Sequence, residues 1–268
     1  MNSMIAEALA LKYSPVSLIL TNDKPSNAIQ FKEGKFGCVM SMLAAAARGK
    51  QTVFDRMTFG CPGGGTGLGF GNQYKNILGG EESFCQFLST GSRYEHLGVR
   101  VTEDCNNDYA YGEAYVKTPD LVRDFLDYLP MTDIPFEYVV FKPLNSVNTK
   151  IERPVIVIFL AGMDQLSALV VLANYGMPGR ENVIIPFAAG CQAIGIFSYQ
   201  EAKSEQPRAV IGLVDISARV QIKRQLKEDV MSFTVPFAMF QEMEANVPGS
   251  FLERNTWKEL RELSSNGV

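Results

Sequence analysis

Histidine is almost absent from this chain: His96 is the only one in 268 residues. That excludes a histidine-rich metal centre, a two-histidine relay and a multi-histidine haem site. No C-x-x-C pair occurs, so neither a zinc ribbon nor a thioredoxin-type dithiol is supported. The phosphate-loop pattern G-x-x-x-x-G-K-[ST] is missing. In the glycine-richest stretch the glycines fall at 60, 63, 64, 65, 67, 69 and 71, which never gives the offsets of a dinucleotide-binding G-x-G-x-x-G. No block of five like charges exists, and 25 basic residues stand against 29 acidic ones. Without a basic stripe to neutralise phosphates, nucleic acid is excluded as the expected partner. Long apolar runs are lacking too: the longest, VIVIFLAGM at 155–163, is too short to cross a bilayer, so no membrane partner is expected. The amino-terminal MNSMIAEALALKYSPVSLIL has no basic start, carries Glu7 and Lys12 within its apolar stretch, and offers no small-residue cleavage site. These absences predict a soluble, cytoplasmic protein. In that compartment five cysteines are expected as thiols, metal ligands or redox groups rather than as a disulfide framework.

What is present is a chain long enough to bury about 70% of its extended surface, with strand and helix signals in alternation. Strands are predicted at VSLILT (16–21), QTVFDR (51–56), YVVFKPL (138–144), RPVIVIFLA (153–161), NVIIPF (182–187), RAVIGLV (208–214) and VMSFTVP (230–236). The run at 153–161 has the continuous apolar character of a strand buried on both faces. Helices are predicted near 2–12, at 38–49 with Gly49 as its left-handed stop, and at TPDLVRDFLDYLP (118–130), where Thr118 caps and Pro119 suits the first turn. Further helices follow at 164–176, after Gly190, and near 216–227, 237–246 and 256 onward. The fold class is α/β or α+β, a mixed buried sheet with flanking helices, in one domain spanning 1–268 because no linker divides it.

Residues 41–70 and 167–197 share an order: helix, glycine stop, strand, a Gly-Cys pair, then a glycine before a bulky apolar residue and phenylalanine. The stop-to-cysteine distance is 12 residues in one and 15 in the other. A pseudo-two-fold of half-repeats near 16–71 and 153–198 would bring Cys61 and Cys191 to equivalent places. Chance repetition of α/β units explains the likeness equally.

Chemistry concentrates on sulfur. Cys38 opens a predicted helix, Cys61 precedes Pro62 and the glycine run, and Cys191 opens another helix, all positions where free N–H groups favour a thiolate. Gly63, Gly64, Gly65 and Gly67 form a stretch without side chains whose backbone can approach a ligand closely. The alternative is a turning loop that binds nothing. Cys85 and Cys105 are expected to be structural, and His96 incidental. Asp164 reads as a helix cap and Arg219 as a clamp for an anion or, equally, half of a surface ion pair.

The boxes GCVMSMLAAAARG, GCPGGGTGLGF, DQLSALVVLANYG, GCQAIG and DISAR followed by VMSFTVP occur in an order that resembles the prokaryotic family known as domain of unknown function 169, over residues 15–243. The resemblance implies a single-domain α/β architecture and no established reaction. It also implies cysteine at 38, 61 and 191, a glutamine at Gln165 and an arginine at Arg219, although Asp215 and Ala218 depart from the small-residue pattern before that arginine. Together these predict that Cys38, Cys61 and Cys191 bind an iron–sulfur cluster or soft metal beside Gly63, Gly64, Gly65 and Gly67, with Gln165 and Arg219 near a small anionic ligand. Two alternatives stay open: a metal-free cysteine enzyme acting on a small acyl or phosphorylated substrate, and a non-enzymatic binding or assembly protein. A homo-oligomer is compatible with each.

Overall fold

The computed structural model describes residues 1–91 and 111–265, so His96 and Cys105 lie outside the described residues. Helix α1 (Met4–Ala8) precedes strand β1 (Val16–Thr21), and α2 (Val39–Ala47) leads into β2 (Thr52–Phe54). Three helices follow, α3 (Pro62–Gly67), α4 (Gly80–Leu88) and α5 (Pro119–Tyr128). Thr118 caps α5 by accepting from Leu121 N, as its sequence predicts. Then come β3 (Tyr138–Pro143), β4 (Pro154–Ala161), α6 (Met163–Tyr175) and β5 (Val183–Ile184). Helix α7 is continuous through Gly190–Gln192, a π-helical Ala193–Phe197 and Ser198–Ala202. The order ends with β6 (Ala209–Gly212), α8 (Ile216–Leu226), β7 (Met231–Pro236), α9 (Phe237–Ala245) and α10 (Asn255–Ser265).

The strands form one seven-stranded sheet in the order β2-β3-β1-β4-β7-β6-β5. It is mixed, since β5 and β6 pair in parallel while β1/β3, β1/β4, β2/β3, β4/β7 and β6/β7 pair antiparallel. Helices cover both faces. Along β4 the side chains alternate, Ile156, Ile158 and Leu160 joining one apolar cluster and Val157, Phe159 and Ala161 the other. The first cluster includes residues of α2, α5, α7 and α8, the second residues of α1, α6, α9 and α10. Burial on both faces explains why the strand carries no polar alternation.

The internal two-fold is not confirmed. Its two helices, α2 and α6, pack on opposite faces of the sheet. Its two strands differ as well, β2 pairing antiparallel to β3 and β5 parallel to β6. Among the described residues no helix is long and apolar enough to cross a membrane.

On the first face, α2 and α8 lie side by side and point the same way. At their carboxyl ends Arg48 Nη1 donates to Gln225 O at 2.8 Å. At their amino ends Gly190 sits between them, where a Cβ would meet Met40 Sδ and Ala218 Cβ, each at 3.0 Å. The amino-terminal ends of α2, α7 and α8 are thus brought together.

Candidate functional site

Cys38 is the residue before α2, in extended conformation, and Cys61 holds the same place before α3. Cys61 Sγ accepts from Gly64 N at 3.2 Å. Cys191, in the first turn of α7, donates from Sγ to Gly63 O at 3.0 Å. Because Gly63 O and Gly64 N belong to one peptide group, the two sulfurs lie against opposite edges of that group, which bounds their separation at about 8.5 Å. The loop before Cys38 joins them: a Cβ at Gly60 would run into Gly37 O, and one at Gly64 would stand 2.8 Å from Val39 Cγ2. The residues flanking Cys38 therefore touch the residues flanking Cys61. The three thiols fall within electrostatic reach, Cys191 feeling the charges of Cys61, Asp215 and Cys38. Among the described residues, no three His, Cys, Asp or Glu side chains stand ready to hold a single metal ion.

The glycine run departs from the open loop expected of it. Pro62–Gly67 is a short helix, with Pro62 in its first turn and Cys61 as its cap. Glycine disfavours a helix by about 1 kcal/mol per residue, so tertiary packing must decide. A Cβ at Gly67 would come within 2.6 Å of the Cys191 carbonyl carbon, and one at Gly65 within 2.7 Å of Gln73 Cγ. Gly64, Gly65 and Gly67 are buried and allow close helix packing; Gly63, half-buried, has Tyr74 Oη 3.6 Å from where its Cβ would be. Tyr74 was not singled out by sequence, yet its buried hydroxyl accepts from Gln192 Nε2 at 2.8 Å, and Gln192 Oε1 accepts from Ala189 N. Gln192 thereby ties the first turn of α7 to the residue under Gly63.

Helix starts were expected to favour thiolates, and burial overrides them. Desolvation pushes Cys61 up to about 11, with the Gly64 N–H opposing and the charge of Cys38 adding to the rise. Cys38 is raised by burial against the N–H groups of Met40 and Ser41, and Cys191 well above the usual thiol range by burial and then by Cys61. All three are neutral thiols near pH 7 in the metal-free protein. A consequence is measurable: alkylation of Cys61 should climb about tenfold per pH unit from pH 7 to beyond pH 9, and a plateau near pH 8 would contradict the burial. Since folding holds a proton that the unfolded thiol releases, this contribution to stability is present below pH 9 and lost as pH rises from 9.0 toward about 11.

Gln165 and Arg219 do not join the cysteines. Gln165 lies in the first turn of α6, a helix of the opposite face; its Oε1 accepts from Gly162 N at 3.0 Å and its Nε2 donates to Leu9 O at 3.2 Å. It caps its own helix and tethers the segment after α1. Asp164, read as a helix cap, instead accepts from Ser264 Oγ at 2.5 Å. Arg219 turns along α8, donating to Asp229 Oδ1 at 2.7 Å and Val230 O at 3.3 Å, the ion-pair alternative of the two roles its sequence allowed. Cys85 is buried in α4, with Glu82 rather than another thiol as its foremost charged neighbour. Asp215, visible in sequence only as a departure from a family pattern, caps α8 beside the cysteines.

A model of the family described as uncharacterised ArCR, domain of unknown function 169, matches residues 4–246 of the chain. No curated protein and no solved structure matches it.

Proposed function

The chain belongs to domain of unknown function 169, and we propose that it binds an iron–sulfur cluster through Cys38, Cys61 and Cys191. The observation that carries this is the placement of Cys61 and Cys191 across the single peptide Gly63–Gly64, with the Cys38 loop packed against the Cys61 loop. Thiolates on one metal ion bond at about 2.3 Å and so sit within about 4 Å of one another. No such triple is present among the described residues, whereas the thiolates of a cluster each bind a separate iron. Three cysteines leave one iron without a protein thiolate, a place for a substrate atom. Binding would release the thiol protons that burial now retains, making loading weaker at low pH.

A metal-free cysteine enzyme is the second reading, and the raised thiols weigh against it, since a nucleophile needs thiolate at neutral pH. A small anionic ligand, expected beside Gln165 and Arg219, would here meet backbone N–H groups and Asp215 instead. Protein purified without oxygen from iron-replete cells is expected to be coloured, with broad visible absorption and bound iron and acid-labile sulfide. Colourless, iron-free protein from the same preparation, still so after anaerobic reconstitution, would overturn the proposal.

A further inference from the structure

One residue of the site carries no sulfur and joins two of its helices. The carboxylate of Asp215 is divided: Oδ1 accepts from Ala218 N at 2.6 Å and so caps α8, while Oδ2 accepts from Gly190 N at 2.5 Å, at the start of α7. A cap requires only the first of these bonds. The second holds the residue adjoining Cys191. The turn that delivers Asp215 is strained, for Leu213, wholly buried, has a φ of 63°, the left-handed region that a bulky side chain avoids. Its side chain also bears on the same spot, Leu213 Cδ2 lying 3.3 Å from where a Gly190 Cβ would be. The β6–α8 turn thus grips Gly190 through its amide and from its side.

We infer that Asp215 is the positioning residue of the three-cysteine site, fixing the first turn of α7 so that Cys191 Sγ stays against Gly63 O. The inference rests on reading Cys191 as a ligand. The charge of Asp215 also reaches all three thiols, Cys38, Cys61 and Cys191. A free anion at the start of α7 would have to displace it from the Gly190 N–H.

The test is residue-resolved alkylation of the native, metal-free chain, read by peptide mass spectrometry. Asp215→Asn keeps an oxygen for Ala218 N but turns an N–H toward Gly190 N. Asp215→Ser keeps a cap and cannot reach Gly190. Cys85, buried in α4, reports global opening. In either variant Cys191 is expected to label about ten- to a hundredfold faster, the scale of one lost charge-assisted hydrogen bond, with Cys85 unchanged. No acceleration at Cys191, equal acceleration at Cys85, or loss of the fold in both variants would overturn the inference. The readout needs no iron: absence of iron with the expected labelling defeats the cluster alone, and bound iron with unchanged labelling defeats the role of Asp215 alone.

Discussion

Alanine at Gly195 is expected to lower the unfolding free energy by about 3 kcal/mol or more, the upper end of what overpacking a core costs. Gly195 lies in the π-turn of α7, and a Cβ there would run into Gly67 O. Relief by moving the chains apart is blocked on both sides of the crossing. Tyr199 Oη donates to Leu68 O at 3.1 Å just beyond it, and Gln192 Nε2 holds Tyr74 just before it. The π-turn has its own tie, Ser198 Oγ donating to Ala193 O at 2.7 Å. For a chain of this size the loss corresponds to a fall in Tm of about 6 to 12 °C. Gly34→Ala is the control, because Gly34 has a φ of 67° but nothing within 4 Å of its Cβ position, so only the conformational cost of about 1 kcal/mol applies. Equal, mild effects of the two substitutions in thermal or urea unfolding would show that α3 and α7 do not cross as closely as described.

The second large effect falls on ligand loading. Cys38→Ser, Cys61→Ser and Cys191→Ser are each expected to lower anaerobically bound iron at least about tenfold, since a hydroxyl is a poor exchange for a soft thiolate. Cys85→Ser is expected to leave loading unchanged, because Cys85 lies in α4 with Glu82 and Arg123 as its nearest charges. Each chain's folding is checked by its far-ultraviolet dichroism. Iron retained in full by Cys38→Ser would reduce the site to Cys61 and Cys191, and iron lost in Cys85→Ser alone would move it elsewhere.

Much of the scaffold is legible in the chain. The unbroken apolar run at 154–161 becomes a central strand covered on both faces, and Thr118-Pro119 opens α5. Three cysteines stand at helix starts, as their neighbours predict. What was not legible depends on partners distant in sequence. Intrinsic propensity makes Pro62–Gly67 a loop, and only the crossing by α7, 128 positions from Gly67 at Gly195, makes those glycines a packed helix. Gln165 and Arg219 have side chains that fit ligand binding, but Leu9 O and Asp229 take them first. A helix start promised thiolates until burial was added. Asp215 stands out in the chain only as a departure from a family pattern, and nothing local shows that it caps α8 with one oxygen and serves another helix with the second. Tyr74 carries no pattern that would connect it with Gln192.

An anomalous difference map at the iron edge, from crystals grown without oxygen, would show directly whether three thiols share one cluster. Separate iron peaks of one cluster, a different one at about 2.3 Å from each of Cys38, Cys61 and Cys191 Sγ, are the predicted result. Iron bound at other residues, or fully ordered sulfurs with no peak among them in protein that is reconstituted and coloured, would contradict it.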